Sequence, residues 1–94
     1  MHLDERNMNT SYANFFRTNG SADEVMIDFG LNTVMPSNPQ QKSQPEFMVQ
    51  VTDRIVLNYY NVKSLALTLG QLIRRHEEQF GELELDPSKR TRKS

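Results

Sequence analysis

FMVQVTDRIVLNYYNVKSLALTLGQLIRRHEEQFG, residues 47–81, changes its apolar period halfway along, and that change decides the fold. Up to Asn58 the period is two: Phe47, Val49, Val51, Ile55 and Leu57 recur on alternate positions, as on a strand with one face buried. Asp53 falls within that series. Three arrangements accommodate it: a bulge near Thr52 and Asp53, an outward bend, or an inward carboxylate paired with a neighbour such as Arg54. The bend or the bulge is the preferred reading.

From Tyr59 the period becomes that of a helix. Val62, Leu65, Ala66, Leu69, Leu72, Ile73, His76 and Phe80 fall within an arc of roughly 120°, a stripe expected to face the core. Asn58 can cap the start, with Asn61 completing a weak capping arrangement. Gly81 marks the stop, because glycine accepts the left-handed conformation at a helix C-terminus. Leu67 lies about 140° from Val62, on the far side, with Tyr60 one heptad before it. Tyr60, Leu67 and Gly70 are the candidate oligomer contacts, since a glycine inside a helix admits close approach of another backbone.

Working back toward the N-terminus, YANFFRT at 12–18 alternates, and so does EVMIDF at 24–29, where Val25, Ile27 and Phe29 share a face. Between them Asn19-Gly20-Ser21-Ala22-Asp23 is a turn signal, so the two runs are expected to form an antiparallel hairpin. Gly30 is expected to end or bulge the second strand, and 31–35 reads either as strand or as loop. Residues 36–46, with three prolines and three glutamines, read as a mobile loop. Leu83 and Leu85 alternate with acids and suggest a short edge strand or an extended segment.

Composition bounds the rest. The 94 residues are 36% hydrophobic, and the apolar ones concentrate in 11–35 and 47–83. A foldable part of roughly 60 residues hides only ~60% of its unfolded surface, so a partner subunit would help it. There is no cysteine, which excludes disulfides and thiolate metal sites and fits a cytoplasmic protein. No apolar run approaches the ~20 residues of a membrane span, and the start MHLDERNMNT has no leader-like apolar core. Net charge is −1, but the last nine residues carry Lys89, Arg90, Arg92 and Lys93 against Asp86. That basic tail is read as a solvated end, and alternatively as a contact to nucleic acid or an acidic partner.

Chemistry-bearing constellations are missing from the pattern. Asp28-Phe29-Gly30 spells a kinase magnesium motif without the rest of a kinase, and Asp28 reads instead as an outward strand residue. His76 has no second histidine at helical spacing, so it reads as a packing residue despite Glu77, Glu78 and Glu82 nearby. Ser64 has no plausible base and acid. The expectation is a non-enzyme with no catalytic, metal or cofactor-binding residue.

YANFFRTNGSADEVMIDFG at 12–30, RIVL at 54–57, Lys63 with Leu65 and Leu69, and HEEQFGEL at 76–83 occur in an order and spacing that resembles DUF3467, a bacterial and archaeal family of unknown function. The resemblance covers roughly 12–83 and implies a strand pair ending in Asp-Phe-Gly, a variable loop, an Arg-Ile-Val strand and a helix ending in Glu-x-x-Phe-Gly. Where that family often has proline near the helix start, this chain has Asn58-Tyr59-Tyr60. The resemblance implies no activity.

The fold class expected is α+β: a small antiparallel sheet of three to four strands, in β-β-β-α order, packed against one long C-terminal helix. Residues 11–85 are expected to form a single domain between a disordered start at 1–10 and a disordered basic tail at 86–94. The functional expectation is a non-catalytic interaction domain that self-associates, a dimer being the first form to test. An unidentified protein partner is a further possibility, a membrane is not expected, and nucleic acid is the alternative through Lys89, Arg90, Arg92 and Lys93.

Overall fold

In the computed structural model, which describes residues 1–34 and 47–90, the alternating run after the turn becomes the middle strand of a sheet. Strand β1 is Phe15–Gly20, β2 is Glu24–Val34 and β3 is Phe47–Asn58, in the spatial order β1-β2-β3 with both pairs antiparallel. Helix α1, Tyr59–Phe80, follows β3 at the next residue, and a short 3₁₀ turn occupies Pro87–Lys89. The fold class is therefore α+β, a three-stranded antiparallel sheet followed by one long helix. The chain divides into two compact units, Met1–Asn58 with the sheet and Tyr59–Ser94 with the helix. The Pro- and Gln-rich stretch read as a mobile loop lies outside the described residues.

The hairpin is tighter than its sequence suggests. Asn19 and Gly20 remain in β1, paired with Met26 and Val25, and the turn is left to Ser21, Ala22 and Asp23. Ser21 makes this possible: its hydroxyl accepts from the amides of Asp23 (3.3 Å) and Glu24 (3.1 Å), while its own amide donates to the Glu24 carbonyl (2.9 Å). No positive φ is needed there, because side-chain bonds do what a left-handed residue does in other turns. Residues 31–34 continue β2, which settles them as strand.

The register between β2 and β3 slips once. Phe29 pairs with Asp53, but Gly30 pairs with Val51, so Thr52 is an extra residue in β3. This is the bulge expected near Thr52 and Asp53. Its consequence corrects the single apolar face assigned to β3. An extra residue inverts the alternation beyond it. Ile55 and Leu57 stay on the face of Val25, Ile27 and Phe29, with Asp53 beside them. Phe47, Val49 and Val51 move to the opposite face, with Asn32, Val34 and Gly30.

Gly30 is required at this slip. A Cβ built there would meet the Gln50 carbonyl oxygen and lie 2.9 Å from Val51 Cα, both backbone atoms that a rotamer change cannot move. In α1 the stop falls at Gly81, whose φ is 95° and whose amide donates to the Glu77 carbonyl at 2.8 Å. Residues 81–86 form no strand, so the alternating Leu83 and Leu85 do not add to the sheet.

Candidate interaction surface

The twelve residues of β3 and the eleven of β2 place apolar side chains on both faces of the sheet. One face carries Phe16, Val25, Ile27, Phe29, Ile55 and Leu57. The other carries Met26, Val34, Phe47, Val49, Val51 and Val56. Among the described residues Val25 is the only buried apolar side chain, and Ile55, Val56, Val34 and Phe47 are about half exposed or more. No residue of α1 is buried either.

In the middle of the second face sits a charged pin. Asp28 is the most buried polar residue described, 4% exposed, which corrects its reading as an outward strand position. Arg54 Nε donates to Asp28 Oδ1 at 2.6 Å and Arg54 Nη2 to Oδ2 at 3.0 Å, while Arg17 Nε donates to Oδ2 at 2.8 Å. The ladder explains the geometry: Arg17 and Arg54 are the residues directly opposite Asp28 on the two neighbouring strands. The Arg54 and Arg17 hydrogen bonds hold the Asp28 carboxyl far below the usual carboxylate range. The two guanidinium groups stay half exposed, so the three side chains form a lid of charge over the strand and leave one net positive charge.

Arg54 is thus spoken for by Asp28, and Asp53 instead accepts from its neighbour's hydroxyl, Thr52 Oγ1, at 2.8 Å. Asn9, Ser11, Tyr12, Ala13, Phe29, Asp53 and Ile55 line an open hollow on the first face. No three His, Asp or Glu side chains among the described residues come together as a metal site would need.

The two edges of the sheet differ. Beyond β1, the free margin of β2 is closed by Asn14: its amide donates to the Gly30 carbonyl at 3.1 Å. Its side chain donates to the Asn32 carbonyl (3.2 Å) and accepts from the Asn32 amide (2.7 Å). A carboxamide carries the same donor and acceptor as a peptide unit, so it can stand in for a strand residue. At the other margin β3 ends the sheet, and no described strand pairs with its outer edge.

On α1 the candidate oligomer contacts are open. Tyr60 is 89% and Leu67 61% exposed, and nothing lies within 4 Å of a methyl added at Gly70. His76 lies against Phe80 one turn on, ring centroids 4.8 Å apart and planes tilted by 43°, but it is exposed, not the core-side packing residue expected from the stripe. In the tail, Arg90 Nε donates to the Glu84 carbonyl at 2.7 Å, and Lys89 ends the 3₁₀ turn that Asp86 caps. Arg92 and Lys93 lie outside the described residues. No described helix is long and apolar enough to cross a membrane.

Comparison with protein families returns the model described as "Protein of unknown function (DUF3467)", which matches residues 1–85. The chain belongs to the DUF3467 family. The family description assigns no activity. No curated protein and no solved structure matches the chain. Within this DUF3467 chain, the pin at Asp28 was missed by sequence reading. The signal available was faint: one acid among apolar strand residues, with an arginine in each neighbouring strand run.

Proposed function

We propose that this DUF3467 protein is a non-catalytic, self-associating interaction domain of the cytoplasm, with a dimer as its working unit. One observation carries the reading: the sheet has two apolar faces and the described chain has one long helix. Strands spaced ~4.8 Å apart make a three-stranded sheet about 10 Å between its outer strands. A helix is itself about 10 Å across, so one helix covers one such face and no more. Among the described residues there is no second helix for the other face, which is therefore offered to another chain.

The helix adds to the surplus. Besides its main stripe it bears Tyr60 and Leu67 on a different side, so it too has more apolar surface than one neighbour can cover. In the alternative reading through the basic tail, Arg90 donates to the Glu84 carbonyl, a bond that leaves its charge in place. Sedimentation at micromolar concentration is the test. A dimer or larger species is expected, and Leu67→Glu is expected to weaken it. A monomer across the whole concentration range overturns the reading.

A further inference from the structure

We propose that β3 pairs along its outer edge with β3 of a second copy of this chain, antiparallel and full length, so that two sheets join into one of six strands. This inference rests on self-association and specifies its surface.

The edge itself is the first argument. β3 is the longest strand, twelve residues or roughly 40 Å, and its outer margin has no described partner. Proteins blunt such edges with lysine, proline or short length. FMVQVTDRIVLN has no lysine and no proline, and it is apolar on both faces, as suits a strand inside a sheet rather than at its margin. The opposite margin is treated differently, with a six-residue β1 and the Asn14 side chain sealing Asn32.

The bulge is the second argument, and it selects the partner. Residues opposite one another in a ladder point to the same face. Call the face of Ile27 and Ile55 the first and that of Asp28 and Arg54 the second. Along β3 the second face takes Phe47, Val49 and Val51, and the first takes Met48 and Gln50. Thr52 and Asp53 share the first face, their side chains hydrogen-bonded at 2.8 Å. Arg54 and Val56 return to the second face, Ile55 and Leu57 to the first.

That order reads the same from either end. A two-fold axis between Thr52 and Asp53 therefore sets Met48 opposite Leu57, Val49 opposite Val56, Gln50 opposite Ile55 and Val51 opposite Arg54, with faces matched at every step. An unbulged strand of even length could not do this, because its two halves would meet with faces reversed. A bulge commonly guards an edge. Here it lies at the midpoint and keeps the faces matched over all twelve residues of the strand, as an isologous dimer in this register needs.

The arrangement has one cost. Around the axis the Asp53 carboxylates of the two copies become diagonal neighbours on one face, and like charges there oppose pairing. Removing that charge is therefore expected to tighten the dimer.

The chain lacks cysteine, so cross-linking reads the interface cleanly. Val49→Cys and Val56→Cys chains are mixed, refolded together and oxidised, and Met48→Cys and Leu57→Cys are treated the same way. Neighbouring ladder pairs alternate between a closer and a wider spacing, so one of the two mixtures offers the closer geometry. A reducible heterodimer is expected in at least one mixture and little in any single variant oxidised alone. With the unsubstituted chain, Asp53→Asn is expected to lower the dimer dissociation constant, by up to about fivefold.

A dimer by sedimentation with no heterodimeric cross-link, or with Asp53→Asn unchanged or weaker, overturns β3 pairing and leaves self-association standing. A monomer throughout overturns both. If the cysteine variants fail to fold, the Asp53→Asn measurement decides alone.

Discussion

Asp28 shows how a single carboxylate becomes structural. Its two oxygens receive three hydrogen bonds from guanidinium groups on the strands to either side, so it ties β1, β2 and β3 together at one level. A carboxyl held below its ordinary value stabilises the fold at neutral pH. The contribution is complete above the unfolded value of ~3.9 and is lost as pH falls toward the folded one. Thermal melts should therefore show stability declining below about pH 4, and Asp28→Asn should flatten that part of the profile while lowering the midpoint at pH 7. An unchanged acid limb in the variant would mean other carboxylates carry it. Gly30 makes a second residue-scale claim. Gly30→Ala presses a methyl on the Gln50 carbonyl at the bulge, and a loss of about 1–3 kcal/mol is expected in denaturant unfolding, as for other overpacked sites. Gly30 was expected to end or bulge its strand, and it does sit at the slip, although β2 runs on to Val34 and the extra residue lies in β3; the role of Asp28 was not legible beforehand. Asp28 has the parity of a solvent-facing residue, and only strand order brings two arginines to it.

The elements were largely legible. The helix limits at Tyr59 and Phe80 follow from the period change after Asn58 and from Gly81, both local signals. The hairpin was legible in kind, though its turn contracts because the Ser21 hydroxyl serves two amides. The bulge in β3 was legible from Asp53 standing among apolar residues, but not its effect, since which residues cross to the other face depends on where the register slips. For the helix, Gly70→Ala is expected to stabilise by about 1 kcal/mol, because the methyl enters open space and alanine is the better helix former. A rise in melting temperature and in helical circular dichroism checks this. A loss of the dimer in that variant would instead put a partner's backbone against Gly70.

At the scale of the molecule the notable quantity is apolar surface in excess of what one helix can cover. The proposed association would offset that excess, and it would also tie stability to concentration. For a dimer that unfolds to monomers, each tenfold rise in concentration adds ~1.4 kcal/mol, so the melting midpoint should climb by a few degrees per decade. Scanning calorimetry across two decades of concentration checks it, and a constant midpoint would speak for a self-sufficient monomer.

By itself the sequence determined the element types, their order and most of their ends: period, turn chemistry and caps act within a few residues of one another. Family membership belongs with these, since it rests on the same ordered segments. Only the tertiary structure decided the register of β2 on β3, and with it the two-sidedness of the sheet, the pin at Asp28 and the palindromic face order of β3. These are relations between strands far apart along the chain. A slip of one residue inverts every side chain beyond it, and no local pattern records where the slip occurs.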